Sequence, residues 1–357
     1  MTICKTRGPS RVEENMNQTH LNCAFLLSLS LVIVMSDSLS ADELQVSGDP
    51  GIIGSGKLES LWEEGGFTEG AAAGPDGLIY FSDFGQPFDS RPARIMKFDP
   101  RTGQTTIHCA DSKMANGLMF ERQGRLIACC ASPLGGQRAL VEIKSNGTVH
   151  PIVERYQGKR FNSPNDIVIH RSGRIYFSDP KYVGPEKMEL SSMDVYRLDP
   201  DGSLHRATDD IAKPNGVTLS PDGKTLYVAE TDNGTAEAER VTDAKMGRMT
   251  LNAFPVNADG SLAKKRVIVN FGSEVGIDGM TVDARGNLYA AVRSASRFGI
   301  IVFDPMGSER AYIQTPTLPT NCCFGIGPEL KTLYITAGSG LYRIRLTNNG
   351  HHSALAE

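Results

Sequence analysis

The chain has 357 residues, 40% of them hydrophobic, enough for a sizeable core in one large or two ordinary domains. A formal net charge of -4 supplies no basic field for holding nucleic acid. Thirty-seven glycines, many in turns between short apolar runs, and a single Trp favour a β-rich fold.

Residues 1–41 read as a leader. Lys5, Arg7 and Arg11 precede an apolar run over residues 23–35, and the small residues that follow resemble a cleavage site after Ser40 or Ala41. The run is short for a bilayer span, so the expectation is a secretory signal, a secreted or periplasmic product and no stable membrane insertion after cleavage; the alternatives are an uncleaved anchor and a true start at Met16, since Glu13 and Glu14 interrupt the basic region. Loss of the leader removes Cys4 and Cys23 and leaves Cys109, Cys129, Cys130, Cys322 and Cys323. An odd count with two adjacent pairs is neither a disulfide framework nor zinc-ligand spacing, and these read as buried small apolar residues. Residues 42–56, polar and Gly-rich, read as a linker.

From residue 57 to residue 346 one unit repeats: strand, tight turn, strand, then a third and a fourth strand. The second strands lie at 77–83, 124–129, 173–179, 223–230, 286–292 and 331–336, mostly 45 to 50 residues apart. Third strands follow at 94–98, 139–143, 194–198, 250–254, 299–303 and 341–345, and fourth strands follow in five copies. Six four-stranded units of this period predict an all-β, six-bladed β-propeller. The sixth unit lacks a fourth strand, and the run at 57–62 is expected to supply it, closing the ring and leaving no open edge. The fourth repeat is longer, with 63 residues from Asn215 to Asp278, and the extra length falls between Thr231 and Arg248 as a loop insertion. Residues 347–357 read as a C-terminal tail.

In a propeller the first strand of each blade lines the central channel. Aligning the six hairpins puts Glu69, Asn116, Asn165, Asn215, Asp278 and Asn321 at one height. Asn or Asp before Gly is a common turn former, so each position alone reads as a turn residue. Six in phase, one of them a Glu, read as a site. Converging carboxylates repel unless a cation neutralises them, and amide and carboxylate oxygens without His or Cys suit Ca²⁺, with Mg²⁺ or Mn²⁺ as alternatives.

The loops that surround this end carry Asp83, Arg160, Asn162, Asp179, Lys181, Tyr182, Glu230 and Arg293. His108, His150 and His205 fall on fourth strands, His170 near the opposite turn end, and His351 and His352 in the tail, so no histidine is placed at the mouth. A general base there must be a carboxylate, and Asp278 is the first choice.

The stretches Phe67-Thr-Glu-Gly70, Met114-Ala-Asn-Gly117, Asn162-Ser-Pro-Asn-Asp166, Phe177-Ser-Asp-Pro180, Pro214-Asn-Gly216 and Asp278-Gly-Met-Thr-Val-Asp283 resemble the gluconolactonase, senescence-marker-protein and luciferin-regenerating family of six-bladed propellers, over about residues 57 to 346. The likeness is greatest to secreted bacterial gluconolactonase-type members. It implies hydrolysis of a small-molecule sugar lactone. It implies a divalent metal, Ca²⁺ first with Mg²⁺, Mn²⁺ or Zn²⁺ as alternatives, held by Glu69, Asn165, Asn215 and Asp278. It also implies Asp278 as the catalytic base. Asn116 and Asn321 lie outside that ligand set and, with Arg160, Asn162, Asp179 and Tyr182, are the candidate substrate-binding residues. Related organophosphate hydrolases carry an acidic residue three positions after the Asp ligand, where this chain has Thr281, and many members have a Glu near Cys130 that is absent here. The alternatives are a hydrolase of other esters or phosphoesters and a non-catalytic secreted propeller with a structural Ca²⁺.

Overall fold

The computed structural model describes residues 44–85, 91–234 and 246–355. The chain enters as a short strand β1 (Val46–Gly48) and one helical turn α1 (Pro50–Ile53), followed by β2 (Glu59–Trp62). Blade one is β3 (Phe67–Ala73), β4 (Ile79–Phe84), β5 (Arg94–Asp99) and β6 (Gln104–Cys109). Blade two is β7 (Ala115–Phe120), β8 (Leu126–Cys130), β9 (Ala139–Ile143) and β10 (Val149–Val153). A two-stranded ribbon, β11 (Arg155–Tyr156) and β12 (Lys159–Arg160), leads to blade three: β13 (Ile167–Ile169), β14 (Ile175–Asp179), β15 (Asp194–Leu198) and β16 (Leu204–Thr208). Blade four is β17 (Pro214–Leu219), β18 (Thr225–Thr231), β19 (Met249–Pro255) and β20 (Arg266–Asn270). Blade five is β21 (Ile277–Val282), β22 (Leu288–Val292), β23 (Gly299–Phe303) and β24 (Glu309–Gln314). Blade six is β25 (Pro319–Phe324), β26 (Thr332–Ala337) and β27 (Gly340–Arg345).

The six inner strands β3, β7, β13, β17, β21 and β25 pack each on the next, and β25 packs back on β3, which closes a six-bladed propeller. As expected, β2 fills the outer place of blade six, pairing antiparallel with β27 in the register Glu59↔Arg343 and Ser60↔Tyr342. Trp62, its last residue, meets Phe81 of blade one edge-on, ring centroids 5.4 Å apart. Second and third strands of every blade are almost wholly buried between neighbouring blades, and fourth strands expose their outer faces. The five remaining cysteines are free and buried.

The linker reading of residues 42–56 is wrong for the part described. β1 adds a fifth strand to the outer edge of blade five, Val46↔Ile313 and Ser47↔Tyr312. Asp49 caps α1, its Oδ1 accepting from Gly51 N at 2.8 Å, and pairs with Arg310. Ile52 and Ile53 are buried in the core between blades five and six. Leu44, Val46, Ile52 and Ile53 pack on that core and anchor an otherwise polar stretch.

The tail is not a free end either. Gly350 N donates to Leu330 O at 2.7 Å, Asn348 Nδ2 to Asp283 Oδ2 at 2.7 Å and Ser353 Oγ to Ile169 O at 2.7 Å, and Ala354 packs into the blade-three core. Residues 351–355 lie with all six inner strands around one central cavity and floor the channel at the end away from Glu69 and Asp278. The expected leader lies outside the described residues, as do Glu237, Glu239 and Asp243 of the fourth-blade insertion. Among the described residues no helix is long and apolar enough to cross a membrane.

Candidate active site

The repeated Asn-Gly and Asp-Gly pairs are close approaches, not turns. A Cβ on Gly70 would lie 2.0 Å from Asn116 O, one on Gly216 2.4 Å from Asp278 O, and one on Gly279 2.3 Å from the Asn321 amide carbon. Four of the six ring residues, Glu69, Asn116, Asn215 and Asp278, are thus followed by a glycine against which the next blade packs closely. Five inner strands also shift register here: between Glu69 and Ala71, Ala115 and Leu118, Pro214 and Val217, Ile277 and Met280, and Pro319 and Asn321. A bulge interrupts the ladder and re-aims a side chain. Blade-to-blade bonds hold the ring: Ser82 Oγ to Asn116 O at 2.7 Å, Gly117 N to Asn165 O at 2.7 Å, Thr231 Oγ1 to Ile277 O at 2.5 Å and Thr320 Oγ1 to Thr68 O at 2.7 Å.

Glu69 and Asp278 are buried, and Glu69 Oε2 accepts from Gly70 N at 2.9 Å. Burial first, and then the Asp278 charge, hold the Glu69 carboxyl well above its ordinary range. Burial also raises Asp278, opposed by Arg293, whose Nη1 lies 3.2 Å from Asp278 Oδ2, and by a hydrogen bond from Asn215. Asn215 also hydrogen-bonds Tyr182, and its Oδ1 is buried with no donor among the described residues. Asn165 stands half-buried just before β13.

This arrangement fits a hard cation. Two carboxylates are buried near enough that the Asp278 charge raises the proton affinity of Glu69, and a buried amide oxygen beside them lacks a donor among the described residues. Among the described residues no three His, Cys, Asp or Glu side chains converge to hold an ion. A cation here must therefore draw on the Asn oxygens as well as on Glu69 and Asp278.

The other candidates divide. Tyr182 belongs to the site: its hydroxyl donates to Thr231 O at 3.1 Å and it neighbours Asn215 and Asp278. Arg160 sits at the rim between blades two and three, its Nη2 donating to Gln137 O at 2.7 Å and its backbone N to Glu189. Asn116 and Asn321 are ring residues, buried, with the Asn321 Oδ1 accepting from Cys322 N at 2.8 Å and its Nδ2 reaching Asp166 Oδ1 at 3.5 Å.

Asn162 and Asp179 do not face the mouth. Both are fully buried, and Asp179 accepts from Asn162 N at 2.8 Å and Ser163 N at 2.7 Å while Asn162 Nδ2 donates to Ser192 O at 2.8 Å. They brace the loop that leads to Asn165, and the substrate-binding expectation for them is corrected to that role. A carboxylate used to satisfy two buried backbone N–H groups is not available to a ligand.

Three residues at the site were not among the candidates. Asp166 Oδ2 accepts from Val217 N at 2.8 Å and its Oδ1 from Asn321, so this blade-three side chain reaches blades four and six, and burial pushes its carboxyl to about 7. Its sequence signal was an Asp in the place where other repeats have Gly. Lys213 is fully buried, its Nζ 2.7 Å from Asn233 Oδ1 and 4.7 Å from the Tyr182 ring centroid. Arg293, at the end of β22, pairs with Asp278 and was placed in the mouth by strand direction alone.

The family described as "SMP-30/Gluconolactonase/LRE-like region" matches residues 67–339. A gluconolactonase of Zymomonas mobilis is 29% identical over 297 residues, covering 79% of this chain and 64% of that protein, just under two thirds of its length. A pentonolactonase of Haloferax volcanii is 25% identical, covering 71% of this chain and 76% of that protein. The solved structure of a gluconolactonase from Xanthomonas campestris superposes with a TM-score of 0.71 at 30% identity, covering 85% of this chain and 94% of that one.

Proposed function

The chain belongs to the SMP-30/gluconolactonase/LRE-like family, and from that premise we propose that it hydrolyses a sugar lactone with the help of a divalent metal ion. The observation that carries the metal is the donorless, buried Asn215 Oδ1 beside the paired carboxylates Glu69 and Asp278. The residues that would hold the ion are Glu69, Asn165, Asn215 and Asp278, with Ca²⁺ first among hard divalent cations. Bound there, such an ion supplies Lewis-acid polarisation of the lactone carbonyl.

The chain's own residues do the rest. Asp278 is the base: it takes a proton from the attacking water as the water oxygen joins the carbonyl carbon. The ring C–O bond then breaks and that proton passes to the departing ring oxygen, which gives the hydroxy acid. Asn215 and Arg293 fix the Asp278 carboxylate from two sides. Tyr182 and Arg160 present a hydroxyl and a guanidinium at the mouth for sugar hydroxyls. The apolar group Phe84, Ala93, Met114 and Ala131, with Phe67 against it, packs between blades one and two and walls the opposite side.

Hydrolysis of glucono-1,5-lactone with and without EDTA, repeated with Asp278→Ala, tests this. Activity is expected to vanish on chelation, return with Ca²⁺ and be lost in the variant while its thermal unfolding stays cooperative. Full activity in Asp278→Ala would sink the mechanism.

A further inference from the structure

We propose that Arg293 is the anion-binding arm of this site, the group that takes the oxyanion formed as water adds to the lactone carbonyl and then, once the ring has opened, the carboxylate of the product. The proposal rests on the lactone-hydrolase reading.

Arg293 is fixed at three points. Its backbone N donates to Gly276 O at 3.0 Å, its Nη1 lies 3.1 Å from Pro319 O and 3.2 Å from Asp278 Oδ2, and its guanidinium carbon stands 5.9 Å from the Phe67 ring centroid. Residues from blades five, six and one therefore converge on it. A guanidinium is planar and carries five donors, so a group pinned through Nη1 still offers the Nη2 and Nε edge. Among the described residues neither atom has a hydrogen-bond acceptor, neither is sealed from solvent, and the side chain keeps 20% of its exposure. An arm held rigidly on one edge and open on the other is preorganised for a second oxyanion.

The chemistry calls for such a group. A lactone is neutral, whereas its hydrolysis product is a carboxylate. Negative charge is created beside Glu69, Asp166 and Asp278, three carboxyl groups whose full charge would outnumber that of one divalent ion. Among the described residues Lys213 is fully buried, its Nζ engaged by Asn233 and the Tyr182 ring, and Arg160 stands out at the rim with its Nη2 given to Gln137 O. Arg293 is the side-chain cation paired with Asp278 itself, and a charge-assisted pair with a carboxylate is among the stronger polar contacts available.

Calorimetry on the metal-loaded protein, with D-gluconate as the anionic probe and D-glucitol as the uncharged polyol of the same chain length, tests the assignment beside lactone kinetics. Arg293→Gln is expected to weaken gluconate about ten- to a hundredfold, the scale of a lost charged hydrogen bond, and to leave glucitol within about twofold. Turnover is expected to fall with little change in KM. Arg293→Lys, which keeps the charge without the fork, should recover part of the gluconate affinity. Equal weakening of both probes would make Arg293 a positioning residue for Asp278 only, and unchanged gluconate binding would leave it no role with anions. Either result overturns the proposal while lactone hydrolysis by the native protein stands. A native protein that hydrolyses no lactone removes the reading itself and the proposal with it.

Discussion

Gly216→Ala is the most direct probe of how the ring is built. An added Cβ would sit 2.4 Å from Asp278 O and 3.0 Å from Gly279 Cα, both backbone atoms that no rotamer change can move. Ordinary contact needs about 1 Å more, so blades four and five must part locally. Forcing a methyl into a filled site costs about 1–3 kcal/mol. At roughly 2–4 °C per kcal/mol for a large domain, the melting temperature should fall by about 2–12 °C. Asn215 and Asp278 sit on the two strands being separated, so Ca²⁺ affinity should fall with it. Gly276→Ala is the control. Its Cβ would meet the Phe271 ring edge at 3.3 Å, which can turn aside, and Thr231 Oγ1 at an ordinary 3.7 Å, and a tolerated Gly→Ala change reduces unfolded-state freedom by about 0.4–1 kcal/mol. Scanning calorimetry and Ca²⁺ titration of both variants decide the matter. If Gly216→Ala melts with Gly276→Ala and binds Ca²⁺ like the native protein, the close-approach account of the Asn-Gly pairs is wrong.

Three further outcomes follow from the same geometry. Burial raises the Asp179 carboxyl to about 7 from the 3.8 of an exposed one, so between pH 4 and 7 the folded state holds a proton that the unfolded state has released. That contribution to stability is full at low pH and is lost as pH rises to 7, so thermal midpoints should fall from pH 5 to 7.5, and less steeply in Asp179→Asn; parallel slopes would refute it. Deletion of residues 347–357 removes the channel floor, and iodoacetamide should then label Cys322 and Cys323, which line the cavity and are buried in the full chain; thiols as inert as in the full chain would show that the floor is not the barrier. Starting the chain at residue 55 strips Ile52 and Ile53 from the core, at about 1.5–3 kcal/mol each, and should lower the urea midpoint without changing the lactone KM.

Repetition made the architecture legible in the chain itself. Period-two strands and Gly-bearing turns returned six times, and the lack of a final fourth strand pointed to residues 57–62 as the closing piece, where β2 now pairs with β27. The six ring positions were legible for the same reason, since copies in phase reveal a pattern that one copy cannot. Local composition misled at both ends: residues 46–53 are polar around a few apolar anchors, and residues 347–355 have no periodicity, because both owe their order to grooves made by distant blades. Side-chain direction at the mouth also had to wait for the tertiary structure. Asn162 and Asp179 are close to Asn165 and Tyr182 in sequence, yet they turn inward, Asp179 to satisfy backbone N–H groups and Asn162 to donate to the Ser192 carbonyl, whereas Asp166, Lys213 and Arg293 reach the site from three blades. Sequence alone determines which residue types stand at each repeat. Which of them meet, and which carboxylate is spent on its own loop, is decided only when six blades close and their bulges set the aim of each side chain.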